Sequence, residues 1–247
     1  MTGASSGIGA AAAGLFAAAG AVVVVHGRDA AAVERVAGRT GGVGVVADLT
    51  TEAGIAATVA AAGEVDALVL NAGVGWAGPL PAMTRDEVDR LVHTNLVAPI
   101  ELTRRLLPAI TARRGAVVFV TSIAGRAGVA REAVYAATKA GLDAFAESLR
   151  FEVAGTGVRV GVVVPGVVDT PFFARRGTPY ARTRPKPVPA AAVARAIVTA
   201  VTSGKPERYV PRWLGVVTGV RGVLPGAYRS LATRFGGGDR GGGRREP

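Results

Sequence analysis

The sequence contains no cysteine, and its only histidines are His26 and His93. The first absence excludes disulfides, thiolate nucleophiles and thiolate metal sites, and the second argues against a metal centre built from several histidines. No apolar run approaches the roughly 20 residues needed to cross a bilayer. Glycines interrupt the first apolar stretch, so no secretory pattern opens the chain. We therefore expect a soluble cytoplasmic protein without a metal site.

Acidic residues become scarce in the last third of the chain. Residues 1–169 carry 14 Lys/Arg against 15 Asp/Glu, whereas residues 170–247 carry 15 against 3. A surface this basic could attract phosphates, acidic carriers or anionic lipid. Arginine outnumbers lysine 26 to 3, so arginine could equally be the default surface cation of this protein. No recognition motif accompanies the charge, and we do not predict nucleic-acid binding.

Apolar strand-like runs alternate with alanine-rich helical stretches. The runs are near-continuous, which is typical of parallel strands covered on both faces; they lie at 21–26, 43–47, 65–70, 116–121 and 158–164. Helices are predicted near 9–19, 29–39, 51–62, 85–110, 133–154 and 189–203. This order predicts a single-domain α/β fold with three layers, a Rossmann-like doubly wound parallel sheet between helices.

A glycine-rich turn, TGASSGIG at residues 2–9, leads directly into a helix. Glycines let the backbone approach a pyrophosphate closely, and the helix N-terminus offers free N–H groups and a positive dipole end. After the next strand, Gly27 stands where an acid would bind a ribose 2′-hydroxyl, and Arg28 follows. Because a guanidinium can pair with a 2′-phosphate, we predict NADP(H) in preference to NAD(H). The alternative is that Arg28 is a solvated loop cation and Asp29 a helix cap.

Further polar residues follow the later strands, at the carboxyl ends where ligands bind in open α/β sheets. They are Asp48-Leu49, Asn71-Ala72-Gly73, Ser122 and PGVVDT at 165–170. Asn95 lies inside a helical stretch, an unfavoured place for asparagine. Tyr135 and Lys139 lie one turn apart on the same face of a helix.

This ordered set of motifs, from residue 2 to about residue 210, resembles the short-chain dehydrogenase/reductase family. The resemblance implies an enzyme that transfers a hydride between a nicotinamide cofactor and a carbonyl or secondary alcohol, and we expect a homodimer or homotetramer. The cofactor-binding residues that it implies are Gly3, Ser5, Ser6, Gly7, Ile8, Gly9, Arg28, Asp48, Leu49, Asn71, Ala72, Gly73, Tyr135, Lys139, Pro165, Gly166, Val168 and Thr170.

The resemblance also implies four catalytic residues: Asn95, Ser122, Tyr135 and Lys139. Tyr135 would be the general acid in reduction and the base in oxidation, while Ser122 would orient the substrate oxygen. Lys139 would hold the nicotinamide ribose, and Asn95 would hold a water that links Lys139 to solvent. A tyrosine pKa of about 10 is too high for proton exchange near neutrality, so we expect the Lys139 ammonium to lower it.

The family places an apolar strand directly before the glycine motif, whereas only Met1 precedes Thr2 here. An absent central strand would leave its neighbours unpaired and an apolar slot open. We predict that the start is internal to a longer reading frame. A chain that truly began here would fold poorly and bind the cofactor weakly.

We divide the chain into a catalytic domain at 1–211 with a lid loop at 171–187, an amphipathic extension at 212–235 and a disordered tail at 236–247. The lid mixes aromatic residues with arginines, which fits an apolar substrate with an acidic group, an acidic carrier, or simply a solvated basic loop. The extension has two apolar stripes, Trp213, Val217, Val220 and Leu224, then Tyr228, Leu231 and Phe235. It could lie on a membrane surface, but packing against protein is favoured.

Three functions fit these features. The leading one is an NADP(H)-dependent carbonyl reductase or alcohol dehydrogenase. The second is reduction of a 3-oxoacyl group on an acidic carrier, or of a lipid-like substrate at a membrane surface. The third is a nucleotide-sensing scaffold without catalysis, which is disfavoured because the four catalytic residues are all present.

Overall fold

The computed structural model describes residues 1–180 and 184–236, with side chains described as far as residue 230. The strands are β1 (Val24–Gly27), β2 (Val43–Val46), β3 (Ala67–Leu70), β4 (Ala116–Val120), β5 (Arg159–Pro165), β6 (Val168–Asp169), β7 (Val188–Pro189) and β8 (Glu207–Val210). The α-helices are α1 (Gly7–Ala18), α2 (Ala30–Thr40), α3 (Glu52–Ala62), α4 (Arg85–Val92), α5 (Ala98–Ala112), α6 (Ile123–Ala127), α7 (Ala133–Glu152), α8 (Phe172–Arg175), α9 (Ala190–Ser203), α10 (Leu214–Val223) and α11 (Pro225–Gly236).

All the paired strands run parallel. Four of them form a sheet in the order β3-β4-β5-β8, and β1 pairs with β2 separately. Residues 1–4 lie between these two parts: the Thr2 N–H donates to Val69 O on β3 at 3.0 Å, and the Ala4 N–H donates to His26 O on β1 at 2.8 Å. The first residues of the chain therefore connect the two parts of the sheet by backbone hydrogen bonds.

Helices cover both faces of the sheet, as the near-continuous apolar strands predict. Alternate side chains of β4 point to opposite faces, so Val117 and Phe119 pack in one core with Leu102 of α5 and Leu142 of α7. Val118 and Val120 pack in a second core on the other face, with helices α1 and α9. The three-layer doubly wound fold is thus confirmed.

Several boundaries differ from the predicted ones. The first strand begins at Val24 rather than at residue 21, and the long helix predicted at 85–110 is interrupted by a π-helical turn at His93–Val97. Strand β8 was not predicted, because its sequence ERYV mixes charged and apolar residues and every position is only half-buried. The tail prediction at 237–247 lies outside the described residues, while Gly236 ends α11.

Candidate active site

A cleft of about 1010 Å³ opens at the carboxyl ends of β1, β3, β4 and β5. The residues predicted from the sequence converge on it. All of them line the cleft except Gly9 and Asn95, which lie directly behind its wall. Residues as far apart in the chain as Gly3 and Pro185 therefore share one cavity.

The glycine-rich turn is packed tightly against the loop after β3. A Cβ added at Gly3, whose φ is +62°, would lie 2.8 Å from Ala72 Cα, and one at Gly9 would lie 2.8 Å from Ala4 Cα. The Asn71 side chain donates to Thr2 O at 3.2 Å and to Gly3 O at 3.1 Å. Gly3 and Gly9 are thus required by backbone packing, which fixes the shape of the turn.

His26 supports the same turn from beneath, a role that the sequence analysis missed. Burial lowers its pKa to about 4, so the ring is neutral at pH 7. Its Nε2 lies 3.1 Å from Ala47 O and its Nδ1 lies 3.4 Å from Gly3 N. The neutral ring satisfies both contacts when Nε2–H donates to Ala47 O and Nδ1 accepts from the Gly3 N–H. His26 therefore joins β1, the end of β2 and the glycine turn.

The N-terminus of α1 is suited to an anion. Its N-cap residue Ser6 makes no side-chain capping bond, and the first turn of the helix contains no acid. Arg175 of α8 reaches across the cleft and donates from Nη1 to Ser6 Oγ at 3.0 Å. The helix dipole and the guanidinium thus both place positive charge beside the glycine turn. These residues fit the pyrophosphate of a dinucleotide.

The rim of the cleft beyond β1 fits the adenosine ribose. A Cβ at Gly27 would lie 2.8 Å from Ser5 Cβ, so this position excludes an acid for steric reasons. Arg28 lies exposed on the rim. Asp29 caps α2 by accepting from the Ala32 N–H at 3.0 Å, so the cap and a phosphate-binding Arg28 are compatible.

Three of the four predicted catalytic side chains meet at the inner end of the cleft. Ser122 is the N-cap of α6 and accepts from the Ala124 N–H at 3.1 Å. Tyr135 and Lys139 lie one turn apart on α7, and all three residues are buried. The Lys139 Nζ lies 6.0 Å from the centre of the Tyr135 ring and donates to Val120 O at 3.0 Å.

The expected lowering of the tyrosine pKa is wrong. Burial raises the pKa of Tyr135 to about 12, and a hydrogen bond with Ser122 opposes this only in part. Burial also lowers the pKa of Lys139 to about 8, while the nearby charge of Asp143 acts in the other direction. The cost of removing each group from water outweighs the attraction that the sequence predicts between them. Tyr135 is accordingly protonated near neutral pH.

Asn95 is fully buried within the π-helical turn between α4 and α5. Its Oδ1 accepts from the Val74 N–H at 2.9 Å, and its Nδ2 donates to Val74 O at 2.9 Å and to Thr138 Oγ1 at 3.2 Å. A Cβ at Gly73 would lie 3.4 Å from both Asn95 Oδ1 and Lys139 Nζ. The asparagine therefore holds the loop after β3 against α7, close to the lysine.

Residues of the predicted lid line the cleft through contacts that the sequence alone did not identify. The ring centres of Phe172 and Tyr135 lie 5.7 Å apart. Phe172 also begins a row of aromatic rings that continues through Phe173 and Tyr180. Arg176 forms an ion pair with Glu132 in the loop before α7, and both side chains are largely buried. The arginine-rich composition of this segment indicates that its side chains form ion pairs, but the sequence does not identify the partner of each arginine. The predicted lid residues 181–183 lie outside the described residues.

Thr121 is a further candidate that the sequence analysis missed. Its Oγ1 is buried in the wall of the cleft and has no hydrogen-bond partner among the described residues. A buried polar atom without a partner is costly, so a ligand group in the cleft would stabilise it. Across the described part of the chain, no group of three or more His, Cys, Asp or Glu side chains could hold a metal ion.

The family model for the short chain dehydrogenases matches residues 1–180. The chain belongs to this family. Among its curated relatives, the 3-oxoacyl-[acyl-carrier-protein] reductase FabG of Salmonella typhimurium is 37% identical over 177 residues, which cover 69% of this chain and 72% of the relative. Ketoacyl reductase HetN of Nostoc is 43% identical over 108 residues, but these cover 43% of this chain and only 38% of that protein.

Solved structures of other short-chain dehydrogenases share the fold over most of the chain. The enzyme from Sphingobium yanoikuyae in complex with NADPH superposes with a TM-score of 0.81 at 28% identity, covering 94% of both chains. The 3-ketoacyl-(acyl-carrier-protein) reductase of Brucella melitensis complexed with NADH gives 0.78 at 29% identity, covering 85% of this chain and 96% of the other.

The C-terminal helices of this short-chain dehydrogenase pack against α6, the helix that Ser122 caps. Arg221 of α10 donates to Arg126 O, and Tyr228 of α11 donates to Ala127 O at 2.8 Å. Arg126 itself pairs with Asp143 at 2.7 Å and with Glu207 at 2.9 Å. One side of α10 thus packs within the chain, while Trp213, Val220 and Leu224 of the predicted stripe are exposed. No helix in the described part of the chain is both long and apolar enough to span a membrane.

Proposed function

We propose that this protein is an NADP(H)-dependent oxidoreductase that reduces a carbonyl group to a secondary alcohol and catalyses the reverse reaction. The convergence of Ser122, Tyr135 and Lys139 at the inner end of the cleft supports this most directly. These groups lie beyond a turn and helix N-terminus that fit a pyrophosphate. The bound nicotinamide would supply or accept the hydride.

The side chains of this protein would control the proton and the orientation. Tyr135 keeps its proton near neutral pH because burial raises its pKa to about 12, so it is suited to donate to a carbonyl oxygen as negative charge develops there. Ser122 would hold that oxygen. Lys139, with a pKa near 8, would supply positive charge and a donor for the ribose, and we propose that Asn95 holds a water that links Lys139 to solvent.

The choice of NADP(H) is supported by the rim of the cleft. Gly27 leaves no acid to bind a 2′-hydroxyl, and Arg28 offers a guanidinium for a 2′-phosphate. Similar proteins include one in complex with NADPH and one complexed with NADH, so the preference depends on Arg28. The adenine side would be bordered by Asp48 and Leu49, and the carboxamide side by Val168 and Thr170.

A 3-oxoacyl group on an acidic carrier is the second candidate substrate. The relatives named as 3-oxoacyl-[acyl-carrier-protein] reductases favour it, and so do Arg175 and Arg184, which are exposed in the predicted lid. We also propose a cytoplasmic homodimer or homotetramer, with residues 1–211 forming the catalytic domain and 171–187 its lid.

The decisive experiment measures NADPH oxidation with a panel of ketones, aldehydes and 3-oxoacyl thioesters. Each 3-oxoacyl group is tested both as a small-molecule thioester and attached to an acyl carrier. We expect Tyr135→Phe to reduce turnover about 1000-fold, since general acid catalysis contributes roughly 10²–10⁴-fold. Binding of NADPH, followed by its fluorescence, should be nearly unchanged in this variant.

Three outcomes would each contradict part of the proposal. Unchanged turnover in Tyr135→Phe would exclude the tyrosine as the acid, and tight NADPH binding without turnover on the whole panel would favour a nucleotide sensor. A better rate with NADH than with NADPH would refute the role of Arg28. The pH profile adds a further test: turnover should fall as the pH rises through about 8, where Lys139 loses its charge.

A further inference from the structure

Helix α10 and its two flanking residues expose a stripe of apolar side chains. The stripe is formed by Trp213, Val216, Val220, Val223 and Leu224. These positions recur at intervals of three or four residues, so they share one side of the helix. The exposed fractions are high, at 51% for Trp213 and 80% for Val223. Contiguous apolar surface of this kind marks an interaction site.

The opposite side of α10 is already packed against the rest of the chain. Leu214 is buried beside Gly166, where an added Cβ would lie 3.0 Å from Leu214 Cδ1. Thr218 Oγ1 lies 3.2 Å from the Tyr209 hydroxyl, and Arg221 donates to Arg126 O. These contacts fix the rotation of the helix, so the stripe cannot turn inward to be buried.

The sequence around the stripe carries charge of one sign, and the nearby Glu207, on the packed side of α10, is paired with Arg126. Residues 208–238 contain five arginines and no aspartate or glutamate. Arg212 is exposed at the start of α10, and on a helical wheel it borders the stripe. A tryptophan and several valines beside arginines match the interface of an anionic bilayer, where indole rings sit at the headgroup level and guanidinium groups attract phosphates.

We propose that this face docks the protein on an anionic lipid surface. The position of α10 supports a link to the cleft, because Gly166 both contacts Leu214 and lines the cleft. The docked helix would therefore hold the carboxyl end of the sheet close to the bilayer, where an apolar substrate accumulates. The proposal does not depend on the activity proposed above.

Vesicle binding by the full chain tests the proposal directly. The chain contains two tryptophans, so Trp76→Phe leaves Trp213 as the single fluorescent reporter. We expect its emission to shift to the blue with vesicles of phosphatidylcholine and phosphatidylserine, but not with phosphatidylcholine alone. The shift should weaken in high salt because the attraction is screened. Arg212→Gln should weaken the affinity about fivefold, as expected for one charge near an anionic surface.

Two valines provide a matched pair of variants. Val223 on the stripe and Val22, just before β1, are both 80% exposed. We expect both Val223→Glu and Val22→Glu to have a melting temperature close to that of the wild type. Val223→Glu should weaken vesicle binding about tenfold or more, whereas Val22→Glu should leave it unchanged. Equal pelleting of the two variants, or equal binding to neutral and anionic vesicles, overturns the proposal.

The alternative to a lipid surface is that a second copy of the chain covers the stripe. If Val223→Glu lowers the molar mass measured by light scattering and the wild type ignores vesicles, the stripe is a subunit interface and the lipid proposal is wrong. None of these measurements uses NADPH or a carbonyl substrate. A failure of the lipid proposal is therefore distinguishable from a failure of the proposed activity.

Discussion

The two walls of the cleft are built in different ways. One wall is formed by the glycine turn, residues 2–9, where Gly3 and Gly9 occupy positions that leave no room for a side chain. Asn71 and the buried His26 hold the backbone of this turn by hydrogen bonds. The other wall, the lid wall, is formed by the predicted lid at 171–187. It depends on side chains that reach across the cleft, such as Arg175, whose hydrogen bond with Ser6 is exposed to solvent.

This difference suggests when each wall becomes fixed. Buried backbone contacts are made as the protein folds, and breaking them destabilises the whole sheet. Exposed side-chain contacts contribute little to stability and can open locally. We therefore expect changes in the first wall to alter folding, and changes in the exposed contact between Arg175 and Ser6 to alter ligand binding alone.

The largest effect should come from Gly9→Ala. The added methyl group would lie 2.8 Å from Ala4 Cα and still closer to the carbonyl of Gly3, and neither backbone can move freely. We expect a loss of about 3 kcal/mol in the free energy of unfolding, as in overpacked cores, together with loss of nucleotide binding. Urea denaturation and NADPH fluorescence measure the two effects.

Gly14 provides the control within the same helix. A Cβ there meets nothing within 4 Å, so Gly14→Ala should stabilise α1 by about 0.5–1 kcal/mol. Similar stabilities for the two variants would show that the glycine turn is not packed as tightly as described.

The next effect concerns pH. Because the pKa of His26 is about 4 in the folded chain and 6.5 as an ordinary value, the unfolded chain binds an extra proton between these values. The contribution of the neutral ring is complete above pH 6.5 and is lost as the pH falls through 6.5 towards 4, by about 3 kcal/mol in total.

Urea denaturation at pH 7 and pH 5 checks this prediction. A His26→Asn variant should be less stable at pH 7 but should lose less stability on acidification than the wild type. His93→Asn is the natural control, since His93 is exposed and is the other histidine in the chain. If His93→Asn flattens the pH dependence instead, the assignment to His26 is wrong.

The smallest effect should come from the lid. Arg175→Ala should raise the dissociation constant for NADPH about tenfold, as expected for one charge-assisted hydrogen bond to a phosphate, while leaving the melting temperature unchanged. Arg195→Ala, an exposed change on α9, is the control. Binding of adenosine, which has no phosphate, should not respond to Arg175→Ala. An equal response to both ligands would exclude a phosphate contact.

The sequence predicted most of the strands and helices and the residues that line the cleft, because those features depend on local patterns. Apolar runs identified β4 and β5, and the spacing of Tyr135 and Lys139 placed them on one helical face. The π-helical turn around Asn95 was not predictable, since it depends on how α4 and α5 are joined. The pKa of Tyr135 was also predicted wrongly, because the depth of its burial cannot be read from its neighbours in sequence.

Long-range side-chain contacts were beyond prediction for a different reason. Arg175 and Ser6 are separated by 169 positions, and many exposed arginines compete for the same partner in the sequence. The extension shows the same limitation. Its sequence predicted an apolar stripe of Trp213, Val217, Val220 and Leu224 that would pack against protein, yet the buried residue is Leu214, while Trp213, Val220 and Leu224 are exposed. Only the packing partner decides which side of such a helix turns inward.

Helix α6 has a consequence for engineering. It is only five residues long, too short to be stable alone. Ser122 satisfies its first turn, and the carbonyls of Arg126 and Ala127 at its other end accept from Arg221 and Tyr228. A chimera that exchanged residues 212–236 between relatives would thus change the hydrogen bonds that hold the C-terminal end of α6, the helix that Ser122 caps. In this chain, a segment outside the cleft is thus a place from which the active-site geometry could be retuned without altering any residue of the cleft.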